Sequence, residues 1–247
     1  MFDENFFESY LSQLKDVNLK SKIDRWSFNQ NFDNDTDNSI KFLMEAANQN
    51  NLAAQLYLGI CYAIGNSIKK NPVEAVKWFR KAAEQGLVEA QYFLADCYYR
   101  DKDYGKDIEK NLDESIKWYT KAAEQGHVEA QYFLGVFYTI GEVVEKNPDE
   151  AFKWYKKAAE QGHVIAQYFL ADFYNNGVGI EQNLEEAFKW FKKSAEQGFA
   201  EAQYFLGVYY AGGKGVEEDF IEAFEWFKKA AEQGHEDAKK ALKRLRK

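Results

Sequence analysis

A unit of 36 residues, once lengthened to 40, recurs along the chain, and this repetition limits the fold more than any other feature. The segment Ala-Glu-Gln-Gly ends at five glycines: Gly86, Gly126, Gly162, Gly198 and Gly234. A second segment, Ala-Gln-Tyr-Phe-Leu followed by Gly or Ala, begins at four alanines: Ala90, Ala130, Ala166 and Ala202. Repetition at this period is typical of solenoids, in which one unit cannot bury its apolar faces alone and stacks against the next.

The pattern of apolar residues in each unit predicts two helices. In residues 128–138, Ala130, Leu134 and Tyr138 recur at the spacing of one helical face, and in residues 148–161 Ala151 and Tyr155 do the same. An Asn or Asp suited to N-capping precedes the second helix of each unit: Asn71, Asn111, Asn147, Asn183 and Asp219. The turn glycines then stand where a left-handed residue ends that helix. We therefore expect an all-α protein.

Two further positions of the repeat indicate how the helices pack. Five tryptophans share one position of the second helix: Trp78, Trp118, Trp154, Trp190 and Trp226. The residue after the repeat Leu is always small: Gly59, Ala95, Gly135, Ala171 and Gly207. Because glycine inside a helix costs about 1 kcal/mol relative to alanine, this position predicts the close approach of a neighbouring helix.

The recurring pattern is Ala-Gln-x-x-Leu-Gly-x-x-Tyr-x-x-Gly, followed by Asn/Asp-x-x-x-Ala-x-x-Trp-Tyr/Phe-x-Lys-Ala-Ala-Glu-Gln-Gly. It resembles the Sel1-like repeat, a relative of the tetratricopeptide repeat. The resemblance implies a right-handed α/α superhelical solenoid of helix pairs, with the first helix of each pair on the concave side. We expect residues 37–238 to form the repeat array. A helix and a polar link over residues 1–36 precede it, and residues 239–247 form the basic end of a C-terminal capping helix.

The resemblance also implies a protein–protein interaction module, an adaptor or scaffold that binds a peptide or protein partner along its concave face. An immunity- or inhibitor-type protein that sequesters a toxin or enzyme is the alternative that the family suggests. A β-lactamase-like hydrolase, implied by cysteine-rich relatives, is disfavoured because this chain lacks their paired cysteines and any nucleophile–base motif. We expect a monomeric protein that is not an enzyme and uses no cofactor.

The charge of the chain narrows the classes of partner. A net charge of −8 argues against nucleic acid, which requires clustered Lys and Arg. The basic residues within 239–247 are interpreted as a helix end that complements the helix macrodipole. No segment approaches the roughly 18 apolar residues of a membrane span. The first residues are acidic and lack a secretory pattern, so we expect a cytoplasmic protein, with an exported mature chain left open.

Residue types that could support chemistry have simpler interpretations. Cys61 and Cys97 share one repeat position in adjacent units, and we expect both to be reduced and buried. Three histidines also share one position, which Leu87 and Phe199 fill in other units, so neither catalysis nor metal binding is expected of them: His127, His163 and His235. The inserted segment 100–110 lacks the terminal glutamate of a calcium loop. We predict no metal site.

The candidate binding residues lie at two positions of the first helix, one before the repeat Leu and one two residues beyond it. Helical spacing directs both away from the predicted core. The predicted partner-binding residues at these positions are Tyr57, Phe93, Phe133, Phe169 and Phe205, with Asp96, Val136, Asp172 and Val208. Exposed apolar patches mark interfaces, and aromatic residues are favoured anchors there. The hypothesis is that Phe133 and Phe169 contact an apolar partner with a basic group for Asp96 or Asp172. The alternative, that the rings only pack between adjacent helices, stays open.

Overall fold

The structure is a computed structural model that describes residues 36–65, 68–100 and 110–245. The expected N-terminal helix, most of its polar link and nearly all of the inserted segment 100–110 lie outside the described residues. The extent predicted for the repeat array therefore stays a prediction. The described residues fall into two compact units, the first ending at His127 and the second beginning at Val128, and each is described by itself.

The first unit contains five described helices: α1 (Thr36–Asn48), α2 (Leu52–Ile64), α3 (Pro72–Glu84), α4 (Val88–Tyr99) and α5 (Leu112–Glu124). The second unit contains seven: α6 (Val128–Ile140), α7 (Pro148–Glu160), α8 (Val164–Asn176), α9 (Leu184–Glu196), α10 (Ala200–Gly212), α11 (Phe220–Glu232) and α12 (Glu236–Leu245). Within each unit every helix packs against the next one along the chain. No strand occurs among these residues, and the predicted all-α fold of consecutive helix pairs is confirmed.

The caps predicted for the second helix of each pair are present. The Asn147 side chain accepts a hydrogen bond from the Glu150 amide at 3.1 Å, and Asn183 does the same from Glu186 at 3.0 Å. Each satisfies an amide that has no carbonyl partner inside the helix. At the other end Gly162 has φ of 94°, in the left-handed region where glycine avoids a steric penalty. Local chemistry therefore sets both ends of these helices.

Buried glutamine side chains connect successive helix pairs through hydrogen bonds that were not predicted from the sequence. The Gln167 amide donates to the Ala159 carbonyl at 3.2 Å, and its oxygen accepts from the Gln197 amide at 2.7 Å. The same arrangement recurs at three other glutamines: Gln55, Gln91 and Gln203. Because a buried amide that loses its partner costs about 1–3 kcal/mol, these bonds explain the glutamines in both repeat segments.

Close helix approach at the small position after the repeat Leu is confirmed. A Cβ atom added at Gly135 would lie 2.6 Å from Cδ1 of Tyr155, and one added at Gly207 would lie 2.7 Å from Cδ1 of Phe227. The aromatic ring of the second helix therefore lies directly on the backbone of the first. Ala171 is fully buried at the same position of its own helix.

We expect Gly135→Val to lower the free energy of unfolding by about 1–3 kcal/mol, because the added Cβ atom would overlap the Tyr155 ring and two methyl groups would add to the crowding. Equilibrium urea unfolding followed by circular dichroism measures the change. Gly135→Ala is the matched control: it introduces the residue found at position 171, and we expect a smaller loss, because the Tyr155 ring must shift to admit one Cβ atom while alanine gains up to about 1 kcal/mol of helix propensity. Equal stability of the two variants would contradict the close packing of ring on backbone.

Candidate functional site

The aromatic residue before the repeat Leu is half-buried at all three of its copies in the second unit, and at two of them it lies on a ring of a second helix. Phe169 stacks on Tyr155 with ring centroids 5.1 Å apart, and Phe205 stacks on Phe191 at 5.1 Å with the planes only 6° apart. Helical spacing alone directed these side chains away from the core. The rings instead turn toward the preceding second helix, because an offset-stacked pair is favourable and a Phe side chain is long enough to reach it.

The same rings connect neighbouring first helices. The Tyr132 ring of α6 lies 6.5 Å from that of Phe169 in α8, and the Tyr168 ring of α8 lies 5.9 Å from that of Phe205 in α10. Phe133, Phe169 and Phe205 all keep part of their surface exposed. These three residues form an aromatic stripe, with one side packed against other rings of the protein and the other side accessible. The alternative that the rings only pack between adjacent helices therefore describes the packed side alone.

In the first unit the prediction of outward-facing contacts is wrong for Phe93 and Asp96. Both side chains are 0% exposed. Phe93 stacks on Phe79 with the centroids 5.4 Å apart. Tyr57 is only half-buried, and burial raises the pKa of its phenol to about 12. The predicted stripe thus has exposed surface in the second unit and at Tyr57, but not at Phe93.

Residues of its own unit bind the buried carboxylate of Asp96. The guanidinium of Arg100, the residue that follows α4, donates from Nε to Oδ1 of Asp96 at 2.7 Å. The Tyr119 hydroxyl of α5 donates to the same oxygen at 3.1 Å. A carboxylate can be buried when a cation and a hydrogen-bond donor replace its water. Asp96 therefore has a structural role, not the contact role predicted for it.

Asp172 occupies the corresponding position of α8 and has different surroundings. It is half-buried, and its hydrogen-bond donor is the Asn176 amide, at 2.7 Å. Burial raises the pKa of the Asp172 carboxyl above its ordinary value, partly offset by the bond from Asn176. Burial, and then the charge of Asp172, also raise the pKa of the Tyr168 and Tyr209 phenols, each to about 12. The Tyr209 hydroxyl donates its proton to the Asn175 side chain, at 2.7 Å.

We call the shared outer surface of α6, α8 and α10 the first-helix face. Its residues occupy equivalent positions on the three helices: Phe133, Val136 and Ile140; Phe169, Asp172 and Asn176; Phe205 and Val208. Val136 and Val208 are half-buried, and Ile140 is 55% exposed. The face therefore offers aromatic and aliphatic surface with a single carboxylate, Asp172, among these residues.

The charges of the second unit are divided between its two sets of helices. The first helices α6, α8 and α10 contain no Lys or Arg, and their acidic residues are Glu129, Asp172 and Glu201. Every lysine of these three pairs lies on a second helix, as Lys156 and Lys157 do, or in a connecting turn. All charged side chains of α6, α8 and α10 are therefore acidic.

The cysteines and histidines contribute to packing in the structure. Cys61 and Cys97 are buried and not joined in a disulfide, and burial raises the pKa of the Cys61 thiol to about 12. The His163 ring accepts from the Ala166 amide at 3.0 Å and so caps α8, while it stacks on Tyr132. His235 accepts from the Ala238 amide in the same way at 3.2 Å. His163 and His235 therefore act as helix N-caps, a role that was not predicted from the sequence.

Within residues 36–65, 68–100 and 110–245, no group of three His, Cys, Asp or Glu side chains is placed to hold a metal ion. None of the described helices has both the length and the apolar character that a membrane crossing requires.

Comparisons with known proteins agree with the repeat pattern. The family model described as Sel1 repeat matches residues 52–87, 88–127, 128–163, 164–199 and 200–235. The solved structure of c5321, a protective antigen present in uropathogenic Escherichia coli strains displaying an SLR fold, is 36% identical with a TM-score of 0.80. That match covers 84% of this chain and 44% of the antigen, so the chain spans less than half of the antigen's length.

A Sel1 repeat protein from Oxalobacter formigenes is 35% identical with a TM-score of 0.74, and the match covers 91% of this chain and 86% of that one. No curated protein sequence matches the chain. The five matched repeats extend over most of the sequence and coincide with the helix pairs of the structure. The chain belongs to the Sel1 repeat family.

Proposed function

We propose that the chain is an interaction module that binds another protein through the first-helix face of its second unit. Sel1 repeat proteins typically mediate protein–protein interactions, and their fold is generally a scaffold without catalytic activity. The observation that most supports this face is the row of accessible rings at Phe133, Phe169 and Phe205, extended by the exposed side chain of Ile140. Rigid, partly accessible aromatic residues are common anchors of interfaces.

The packing of these rings makes the face ready to bind without rearrangement. Phe169 and Phe205 are each held against a ring of the preceding second helix, with the ring centroids 5.1 Å apart in both cases. Side chains held in one rotamer lose little conformational entropy when a partner covers them. The stacking therefore supports binding as well as stability, and a test must separate the two effects.

The test uses two double variants that remove equal numbers of half-buried rings. Phe133→Asn with Phe169→Asn alters the first-helix face. Phe152→Asn with Phe188→Asn is the matched control, because these rings lie on second helices, where they pack edge-on against Tyr174 and Tyr210. We expect both variants to lose stability, since both lose aromatic contacts.

Only the face variant is expected to lose binding. Wild type and both variants are immobilised, exposed to a soluble extract of the native host, and the retained proteins are compared by mass spectrometry. A protein retained by wild type and by the control, purified and titrated by calorimetry, should bind the face variant about 100-fold more weakly or not at all. Retention of the same proteins by all three forms, or of none by wild type, would contradict binding through this face.

A further inference from the structure

An aspartate occurs at the same position of two first helices, as Asp96 in α4 and as Asp172 in α8. The two carboxylates have different bonding partners. At Asp96 the counter-charge is the Arg100 guanidinium, with a hydrogen bond from the Tyr119 hydroxyl. At Asp172 the residue one turn later is Asn176. The ring that corresponds to Tyr119 is Phe191, which has no hydroxyl. The second carboxylate therefore lacks both groups that neutralise and bind the first.

No other described residue of the second unit supplies the missing charge. Among the described residues no Lys or Arg forms an ion pair with Asp172, and the three first helices around it contain neither residue type. Glu129 and Glu201 at the start of α6 and α10 add charge of the same sign. Both are close to His163 and His235, at 3.3 and 2.8 Å, so these glutamates are already engaged within the unit.

A half-buried carboxylate without a cation is unfavourable in the unbound protein, because it loses hydration without gaining a counter-charge. The raised pKa of the Asp172 carboxyl reflects this burial. The surrounding surface is apolar and aromatic, with Phe169 on the same helix and Val136 and Val208 at the same position of the neighbouring first helices. A cation brought there by a partner would be partly shielded from water, which strengthens its attraction to the carboxylate.

We infer that the protein partner presents an arginine or lysine flanked by apolar side chains, and that this basic group binds the Asp172 carboxylate in the place that Arg100 fills at Asp96. The inference rests on the proposed function and names the chemistry of the partner for the same face. The anionic face would also attract such a partner at long range and disfavour an acidic one.

The probe is a phage-displayed library of random peptides of about ten residues, long enough to cross three neighbouring helices. It is selected on the full chain, on Asp172→Asn and on the Phe133→Asn, Phe169→Asn variant. We expect wild type to enrich peptides with one Arg or Lys between apolar residues. Asp172→Asn should enrich apolar peptides with no basic residue, because its amide keeps the bond to Asn176 but has no charge.

A synthetic peptide from the wild-type selection then gives a double-variant cycle. Replacing its basic residue by norleucine should weaken binding to wild type by about ten-fold or more, as close charge pairs at interfaces do. Asp172→Asn should cause a similar loss, and the two changes together should add little further. Glu185→Gln, which removes an exposed charge from the second helix α9, is the control for net charge and should leave the affinity nearly unchanged.

The outcomes separate the two proposals. If wild type enriches apolar peptides without a basic residue and the face variant enriches none, the role of Asp172 is wrong while binding through the face stands. If the face variant enriches the same peptides as wild type, the proposed face itself is wrong. Failure of wild type to enrich any peptide beyond the face variant, or equal affinity of the arginine and norleucine peptides, overturns the inference.

Discussion

Replacing Arg100 by isoleucine is expected to lower the free energy of unfolding by about 3 kcal/mol or more. The substitution removes the guanidinium that lies 2.7 Å from Asp96, whose side chain is 0% exposed. Breaking a buried ion pair by removing one partner costs about 3–5 kcal/mol, because the remaining charge is buried without compensation. The lower end applies here, since the Arg100 side chain is 34% exposed and water screens part of the interaction.

The control uses residues that another repeat already contains. Positions 136 and 140 correspond to 96 and 100, and they hold Val136 and Ile140. The double variant Asp96→Val, Arg100→Ile should therefore be more stable than Arg100→Ile and lose only about 1–2 kcal/mol relative to wild type, because it removes both charges together but leaves the Tyr119 hydroxyl without its acceptor. Urea unfolding at neutral pH measures all three proteins. If the double variant is as unstable as Arg100→Ile, the loss comes from packing and not from an uncompensated charge.

Trp226→Ala is expected to lower the free energy of unfolding by about 3–5 kcal/mol. Trp226 is buried in a cluster that includes Phe191, Leu206 and Tyr209, so its removal would leave a cavity between helices of two successive pairs. The indole N–H also donates to Glu222 at 3.0 Å. Thermal and urea unfolding measure the change.

A control separates the buried ring from its surface contact. The Lys229 ammonium lies 3.7 Å from the centroid of the Trp226 ring, and a cation–π contact at such a site contributes about 0.5–1 kcal/mol. Lys229→Ala should therefore cost far less than Trp226→Ala. A Trp226→Ala protein that melted within a degree or two of wild type would show that the tryptophan position is not part of the core.

The helix pairs and their ends could be predicted from the sequence because the interactions that determine them are local. Asn183 caps α9 through an amide only three residues away, and Gly162 ends α7 through its own backbone conformation. The small residue at Gly135 predicted a close neighbour, since a helix retains glycine at a cost only where space requires it. In these cases one unit of the repeat contains all of the information.

The histidine caps and the glutamine bonds were missed for a different reason. Gln167 binds a carbonyl eight residues before it and an amide thirty residues after it, so the partners are known only once the helices are packed. His163 caps α8 as Asn183 caps α9, but histidine is an uncommon capping residue and its ring also stacks on Tyr132. The sequence shows only that these residues recur at constant repeat positions. Their bonding partners become known only from the packing of the helices.

The candidate site shows most clearly what the sequence determined by itself. It placed Phe93 and Phe169, and likewise Asp96 and Asp172, at equivalent positions of their helices, because position depends on the period of the repeat. The tertiary structure alone decided that Asp96 is buried with Arg100 and Tyr119, whereas Asp172 remains half-buried with Asn176 as its hydrogen-bond donor. Helical periodicity fixes the direction in which a side chain leaves its helix, but the groups that neighbouring helices bring to it determine whether its charge is neutralised.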